Sequence, residues 1–212
     1  MPAASVAAKP KAQWVKSLPS FSMHLAVARA VNAARTPLYF VGALAPDAMD
    51  YPHKEQLHFR TCEYRADELA KLAHATDPAD DFAEGILVHL FTDWLWDTTH
   101  MMHYREHDPS DDWWRRYQAH TGEASSHIYY TEPWAQPLWQ AMLAVPQENY
   151  GTIAGITPQD ITNLMQGEMR RVQRVRGPSA FFFPQLVEAF IAQAAQDYIA
   201  WRNAHEFSAS KH

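Results

Sequence analysis

Residues Gly85-Ile86-Leu87-Val88-His89-Leu90-Phe91-Thr92-Asp93-Trp94-Leu95-Trp96 form a helix-length apolar run interrupted by one imidazole and one carboxylate. His89 and Asp93 are spaced i, i+4, so a helix presents both on one face. A buried carboxylate is costly unless it is paired or bound to a metal. Two such groups on one face are half of a helix-borne metal site. The spacing alone is uninformative. With 12 His and 24 acidic residues in 212, about 1.4 such pairs are expected by chance. Two occur, His89/Asp93 and His107/Asp111. The second lies in the polar run His107-Asp108-Pro109-Ser110-Asp111-Asp112, where solvent satisfies both groups. Only the apolar setting of the first carries meaning.

Around that run the chain reads as helical. It has seven Gly and few β-branched alternating stretches, and Ala, Leu, Met, Gln and Glu dominate its periodic segments. Hydrophobic residues make up 47%, a globular composition long enough for one substantial core. The division expected is an N-terminal arm over 1–18, one α-helical domain over 19–207 and a tail over 208–212. Ser20 and Ser22 offer N-caps for a helix over about 23–34. An aperiodic loop is expected over 38–52, then a short helix over 67–75. A long helix should start at Asp77-Pro78 and run through His89 to about 104. Asp111-Asp112 should cap a short helix ending near 119, followed by a helix over 133–143. Thr157-Pro158-Gln159-Asp160 is a strong start signal for a helix ending around Arg176-Gly177-Pro178. The last helix spans about 184–204, with Leu186, Phe190, Ala194 and Tyr198 at i, i+4 spacing.

Charge and cysteine content exclude several classes. A net charge of −6 argues against nucleic-acid binding, which needs a basic face. No run is long enough for a transmembrane helix, so no stable membrane insertion is expected. The N-terminal residues include Lys9, Lys11 and Lys16 but no signal-peptide core. The single cysteine, Cys62, fits a reducing compartment, and a cytoplasmic location is expected. Cys62 itself reads as a small buried side chain.

Ten of the 12 His lie between His24 and His127. His24 sits near a helix start in Met23-His24-Leu25. Asp47 ends the apolar turn Gly42-Ala43-Leu44-Ala45-Pro46-Asp47. His58 follows in Leu57-His58-Phe59. With His89 and Asp93 these make five N or O donors, and zinc takes about four. Each alone has a structural reading, a hydrogen-bonded core His or a turn-capping Asp. The segment from Thr157 to Ala204 has no His and reads as scaffold.

This ordered set resembles the zinc-dependent phospholipase C family: an early helix His, an apolar turn ending in Asp, a His about ten residues on, and His-x-x-x-Asp on a helix. The similarity spans residues 20–97. It implies an all-α, single multi-helix bundle with metals held between helices. It implies one zinc on Asp47, His58, His89 and Asp93, and a second near His24 with Asp93 bridging; iron or manganese are alternative metals. It also implies Asp47 beside the nucleophilic water as its base. Two departures stand out. Trp14 is internal, where secreted members use an N-terminal Trp. The later His-x-x-x-Glu pair is absent, with His107/Asp111 its nearest echo; His100 and His103 both stand as candidates for the family's further His.

Weaker motifs are Glu55-x-x-His58, half a di-iron pattern, and His107-Asp108, the dipeptide of one phosphohydrolase class. The run Arg170-Arg171-Val172-Gln173-Arg174-Val175-Arg176 reads as a complement to the helix dipole, with an anionic-substrate site as the alternative. Phe181-Phe182-Phe183 reads as core. Trp94, Trp96, Trp113 and Trp114 divide between core and pocket wall. Three functional readings follow: a metal-dependent hydrolase of a small-molecule phosphoester, a helical protein with a structural or vestigial metal, and a metal-free interaction protein with a buried hydrogen-bond network.

Overall fold

Two glycines allow a close helix packing that positions the candidate site. In a computed structural model describing residues 20–49, 53–175 and 177–206, α1 (Phe21–Val31) is followed by α2 (Pro37–Gly42) and a 3-10 turn over Ala45–Ala48. Then come α3 (His53–Leu57), α4 (Arg65–Ala75), α5 (Asp81–Thr98), α6 (His100–His107), α7 (Trp113–Thr131), α8 (Ala135–Leu143), α9 (Pro158–Arg174) and α10 (Pro184–Ala204). The fold is all-α; among the described residues the one β-feature is an isolated bridge between Ile153 and Ile156. No described helix is long and apolar enough to cross a membrane. The expected arm over 1–18 and tail over 208–212 lie outside the described residues.

Gly42 on α2 and Gly85 on α5 lack a Cβ where the two backbones meet. A Cβ on Gly85 would collide with Tyr39 O, and one on Gly42 with Phe82 O. The resulting approach brings the carbonyl of Ala43 within reach of α5. Asp81 reinforces it by accepting from Arg35 Nη1 at 2.7 Å and from Thr36 N at 3.1 Å. On the far side Glu84 accepts from Tyr198 OH at 2.5 Å and from Arg202 Nε at 3.2 Å. Arg202 also donates to Ala73 O and Thr76 O, so α10 clasps α4 and α5. The core is filled by Leu25, Tyr39, Leu87, Trp96, Tyr117, Trp139 and Phe182, all at most 1% exposed.

Several boundaries differ from the sequence reading for identifiable reasons. The expected loop over 38–52 contains α2, because Pro37 takes the first helical position after Thr36. Ser20 is the N-cap residue of α1 but makes no side-chain cap bond; Ser22 lies inside the helix and its Oγ accepts from Ser125 at 2.7 Å. The long helix starts at Asp81, capped by the Asp80 carboxylate on Ala83 N. It stops at Thr98 because Thr99 leaves the helical region and the Thr98 and Thr99 hydroxyls bond back to Trp94 O and Leu95 O. The helix expected to end near 119 continues to Thr131. Its Gly122 and serines are tolerated because tertiary partners satisfy them, Ser126 Oγ donating to Val172 O at 2.9 Å. The capping box at Thr157/Asp160 forms in both directions, and α10 has the expected span.

Two burial expectations are corrected. Cys62 is exposed, because it lies in the irregular turn between α3 and α4 rather than on a packed face. Phe182 is core at 1% exposed, but Phe183 is 48% exposed because it is the residue preceding α10. Trp96 is core; Trp94, Trp113 and Trp114 are partly buried against it.

Candidate metal centre

His24, Asp47, His58, His89 and Asp93 converge from four segments, although 69 positions separate the first from the last. His24 comes from the buried face of α1, Asp47 from the 3-10 turn, His58 from the residue after α3, and His89 and Asp93 from α5. Every one of these side chains has zero exposure. Among the described residues they supply two overlapping donor triads, His24/His89/Asp93 and Asp47/His58/His89.

The tautomers are fixed by the backbone. His58 Nδ1 lies 2.7 Å from Lys54 O, and His89 Nδ1 lies 2.8 Å from Ala43 O. A carbonyl only accepts, so both rings carry their proton on Nδ1 and, when neutral, a lone pair on Nε2. These two Nε2 atoms face each other at 3.0 Å. Two lone pairs at that distance repel unless a proton or a cation lies against them. Metal-ligating His residues use this arrangement, the second nitrogen donating to a carbonyl that fixes the ring.

Three of the donor separations match a tetrahedral ion, and two, 3.0 Å between the imidazoles and 3.8 Å from His89 to Asp93, fall outside it. Ligand atoms about 2.0–2.2 Å from a tetrahedral centre stand about 3.3–3.6 Å apart. From His58 Nε2 it is 3.3 Å to Asp47 Oδ1 and 3.3 Å to Asp93 Oδ2. From His89 Nε2 the same oxygens lie at 3.5 and 3.8 Å. His24 stacks on His89 at 4.0 Å and brings its Nε2 to 3.2 Å from the other Asp93 oxygen. Both His24 nitrogens, both Asp47 oxygens and Asp93 Oδ1 lack a partner in hydrogen-bond alignment, though charged neighbours touch them. Buried polar atoms left this way are rare, and an ion or an ordered water would satisfy them.

Two cations missed by sequence reasoning frame the centre. Lys54 Nζ lies 2.7 Å from Asp47 Oδ1, and Arg60 Nη2 lies 2.9 Å from Asp93 Oδ2. Arg60 also reaches Asp97 at 2.8 Å, which Arg65 shares, and Glu55 at 3.4 Å. Glu55 therefore belongs to an arginine network and not to a Glu-x-x-His metal motif. Arg60 is aimed by a Schellman end to α3: Arg60 N bonds Glu55 O, Phe59 N bonds Gln56 O, and Phe59 takes the left-handed φ of 55°. The sequence signal was the run Lys54, Glu55, His58, Arg60, which reads as an exposed charged face when taken by composition.

Burial alone would neutralise each acid, but the neighbours outweigh it. Burial raises the Asp47 carboxyl, while Lys54 and the facing imidazoles hold it well below its usual range. Burial likewise opposes Arg60, His24 and His89 at Asp93, and these neighbours keep it low. Burial pushes His58 down to about 4 and also lowers His24. At His89 burial is overcome by Asp47 and Asp93, and its pKa rises above 6.5.

One cavity borders the centre on the Asp47 side. A cavity of about 220 Å³ is lined by Asp47, Lys54, Trp114, Gln118, Glu168 and Arg171, among others. Asp47 is the only one of the five donors on its wall. The segment read as scaffold thus contributes to the pocket through α9. A larger, mainly apolar cavity of about 270 Å³ between α1, α7 and α10 contains none of the five donors. His103 and His107 are exposed, with His103 paired to Glu106 at 3.6 Å. His100 stacks on Trp96, and Asp111 is exposed. Asp108 is bound by Arg116 at 2.7 Å, so the His107-Asp108 dipeptide is committed to a surface turn. Comparison with protein-family models, with curated proteins and with solved structures finds no match for this chain.

Proposed function

We propose that this protein is a metal-dependent hydrolase of small phosphoesters, a divergent cytoplasmic relative of the zinc-dependent phospholipase C family. The observation that carries the reading is the pair of facing Nε2 atoms of His58 and His89, 3.0 Å apart with their Nδ1 protons committed to carbonyls. His58, His89, Asp93 and Asp47 would hold the principal ion, zinc by donor type and spacing. His24 and Asp93 Oδ1 would hold a second. When bound, the metal supplies Lewis-acid polarisation of a phosphoryl oxygen and brings the pKa of water near neutrality.

The chain does the rest. Asp47 is the one donor among the residues lining the cavity, which supports giving it the role of accepting a proton from an incoming water. It stays ionised because Lys54 holds it so. Lys54 shields Asp47 and sets a positive charge where an anionic substrate enters. The cavity is smaller than the ~300–1,000 Å³ of most ligand pockets, which suits a small soluble ester over a phospholipid.

A second reading, a structural metal, is favoured by the complete burial of all five donors, since structural zinc sites are closed. One experiment separates the two. The purified protein is loaded with zinc, manganese or iron, its metal content is measured, and it is assayed on chromogenic phosphoesters and short-chain lecithin. The hydrolase reading expects turnover of a small soluble ester, lost in Asp47→Asn. Metal-replete protein inert on every ester would establish the structural reading instead. Turnover of lecithin alone would refute the substrate class.

A further inference from the structure

We propose that Lys54 and Arg171 form an anion clamp for a phosphomonoester dianion at the mouth of the metal centre, with Glu168 as its internal competitor. The proposal rests on the metal-hydrolase reading and narrows its substrate. The charged residues lining the 220 Å³ cavity are Asp47, Lys54, Glu168 and Arg171. They come as two pairs, Lys54 on Asp47 at 2.7 Å and Arg171 on Glu168 at 3.3 Å. Their charges cancel. On the far side Arg60 and Arg65 together face Asp93, Asp97 and Glu55. A dication held by these residues therefore leaves the cavity with a net positive charge to be met by an anion from solution. A phosphomonoester carries nearly two negative charges at neutral pH and a diester carries one, so the two cations of the cavity wall, Lys54 and Arg171, match the monoester.

Arg171 is placed to act. It stands on α9 and lines the same cavity as Lys54, and its other contact is a long 3.4 Å bond from Nη2 to Gln118 O. A guanidinium has five N–H donors in a planar fork that suits phosphate. These two loose contacts leave donors to offer. Glu168 is mostly buried, and burial pushes its carboxyl above the usual range despite Arg171. Its negative charge is thus the weaker partner for Arg171, and a phosphate dianion outcompetes it. This distinguishes Arg171 from the rest of the basic run at the end of α9, for which complementing the helix dipole is a sufficient role.

The test uses the full chain and inorganic phosphate as probe, with calorimetric binding, circular dichroism and zinc content measured on every variant. Zinc-loaded wild type should bind phosphate at least about tenfold more tightly than zinc-free protein. Arg171→Met should weaken binding by about tenfold or more at unchanged zinc content, and Arg171→Lys should recover part of it. Glu168→Gln should tighten binding by about threefold, a direction that a structural role for Glu168 does not give. Dimethyl phosphate, the diester probe, should bind at least about tenfold more weakly than phosphate. Folded Arg171→Met with wild-type phosphate affinity would overturn the clamp and leave the metal reading intact. Equal binding of the two probes would overturn the monoester assignment. Failure to take up zinc would sink the metal reading itself. In that zinc-free protein, phosphate binding insensitive to Arg171 would sink the clamp too, and binding still lost in Arg171→Met would support it.

Discussion

Replacing Gly85 with alanine tests whether helix contact builds the candidate metal centre. The new Cβ would collide with Tyr39 O and stand 2.8 Å from Ala43 N and 3.0 Å from Gly42 C. All three are backbone atoms, so no side chain can swing away and α2 and α5 must part. Alanine gains about 1 kcal/mol over glycine in a helix interior. Overpacking against a backbone takes the upper part of the usual 1–3 kcal/mol range. Separation also weakens the His89 Nδ1 bond to Ala43 O, now 2.8 Å, a loss of about 1 kcal/mol. The net is a destabilisation of about 2–3 kcal/mol, or a Tm lowered by roughly 4–12 °C for a chain this size. Zinc affinity should fall as well, because the carbonyl that fixes the His89 tautomer has moved. Gly167→Ala on α9 is the control. Nothing lies within 4 Å of its added Cβ, so it should gain about 1 kcal/mol. Thermal unfolding by circular dichroism and zinc titration of both variants decide the matter. A Gly85→Ala protein that melts at or above wild type and binds zinc fully would refute the reasoning.

Two further outcomes are expected. Asp93→Ala should lose most of the bound zinc, while His107→Ala keeps it, since Asp93 faces His24, His58 and His89 and His107 is exposed; equal metal content in the two would remove Asp93 from the ligand set. Zinc affinity should also fall with decreasing pH. Of the three imidazoles only His89 has its pKa raised above 6.5, those of His24 and His58 being lowered. A raised pKa means the proton competes with the metal from above pH 6.5 downward, with about one proton released per ion bound. Affinity independent of pH between about 8 and 5 would contradict this.

The legible parts of the chain were those where local chemistry and tertiary packing agree. Thr157, Pro158 and Asp160 cap α9 by contacts within four residues, and Pro184 starts α10 with its apolar stripe on the core. His89 and Asp93 stood out because they interrupt an apolar helix, and His24, Asp47 and His58 gained meaning only as an ordered set with them. Elements decided by distant partners were hidden. Thr36-Pro37 starts α2 under the hold of Asp81, 45 residues away, and α7 continues through Gly122 because its serines find partners on α1 and α9. Lys54 and Arg60 were invisible for a different reason. A lysine or arginine in a polar run has a solvated reading that costs nothing, and only the fold reveals that Lys54 is 5% exposed against a carboxylate.

The left-handed residue Phe59 joins two neighbours with opposite duties. His58, before it, faces the centre, and Arg60, after it, neutralises Asp93 from outside. Lys54 lies on the same short segment, so a donor and both counter-charges occupy residues 53–60. The centre's electrical neutrality is therefore written in one stretch of chain, while its donors are scattered over the fold. A one-residue insertion beside Phe59 would break the turn that aims Arg60 at Asp93 while His58 stays anchored to Lys54 O, stripping the counterweight and keeping the donor. The same compactness makes it the piece to transplant when building such a centre into another helical scaffold.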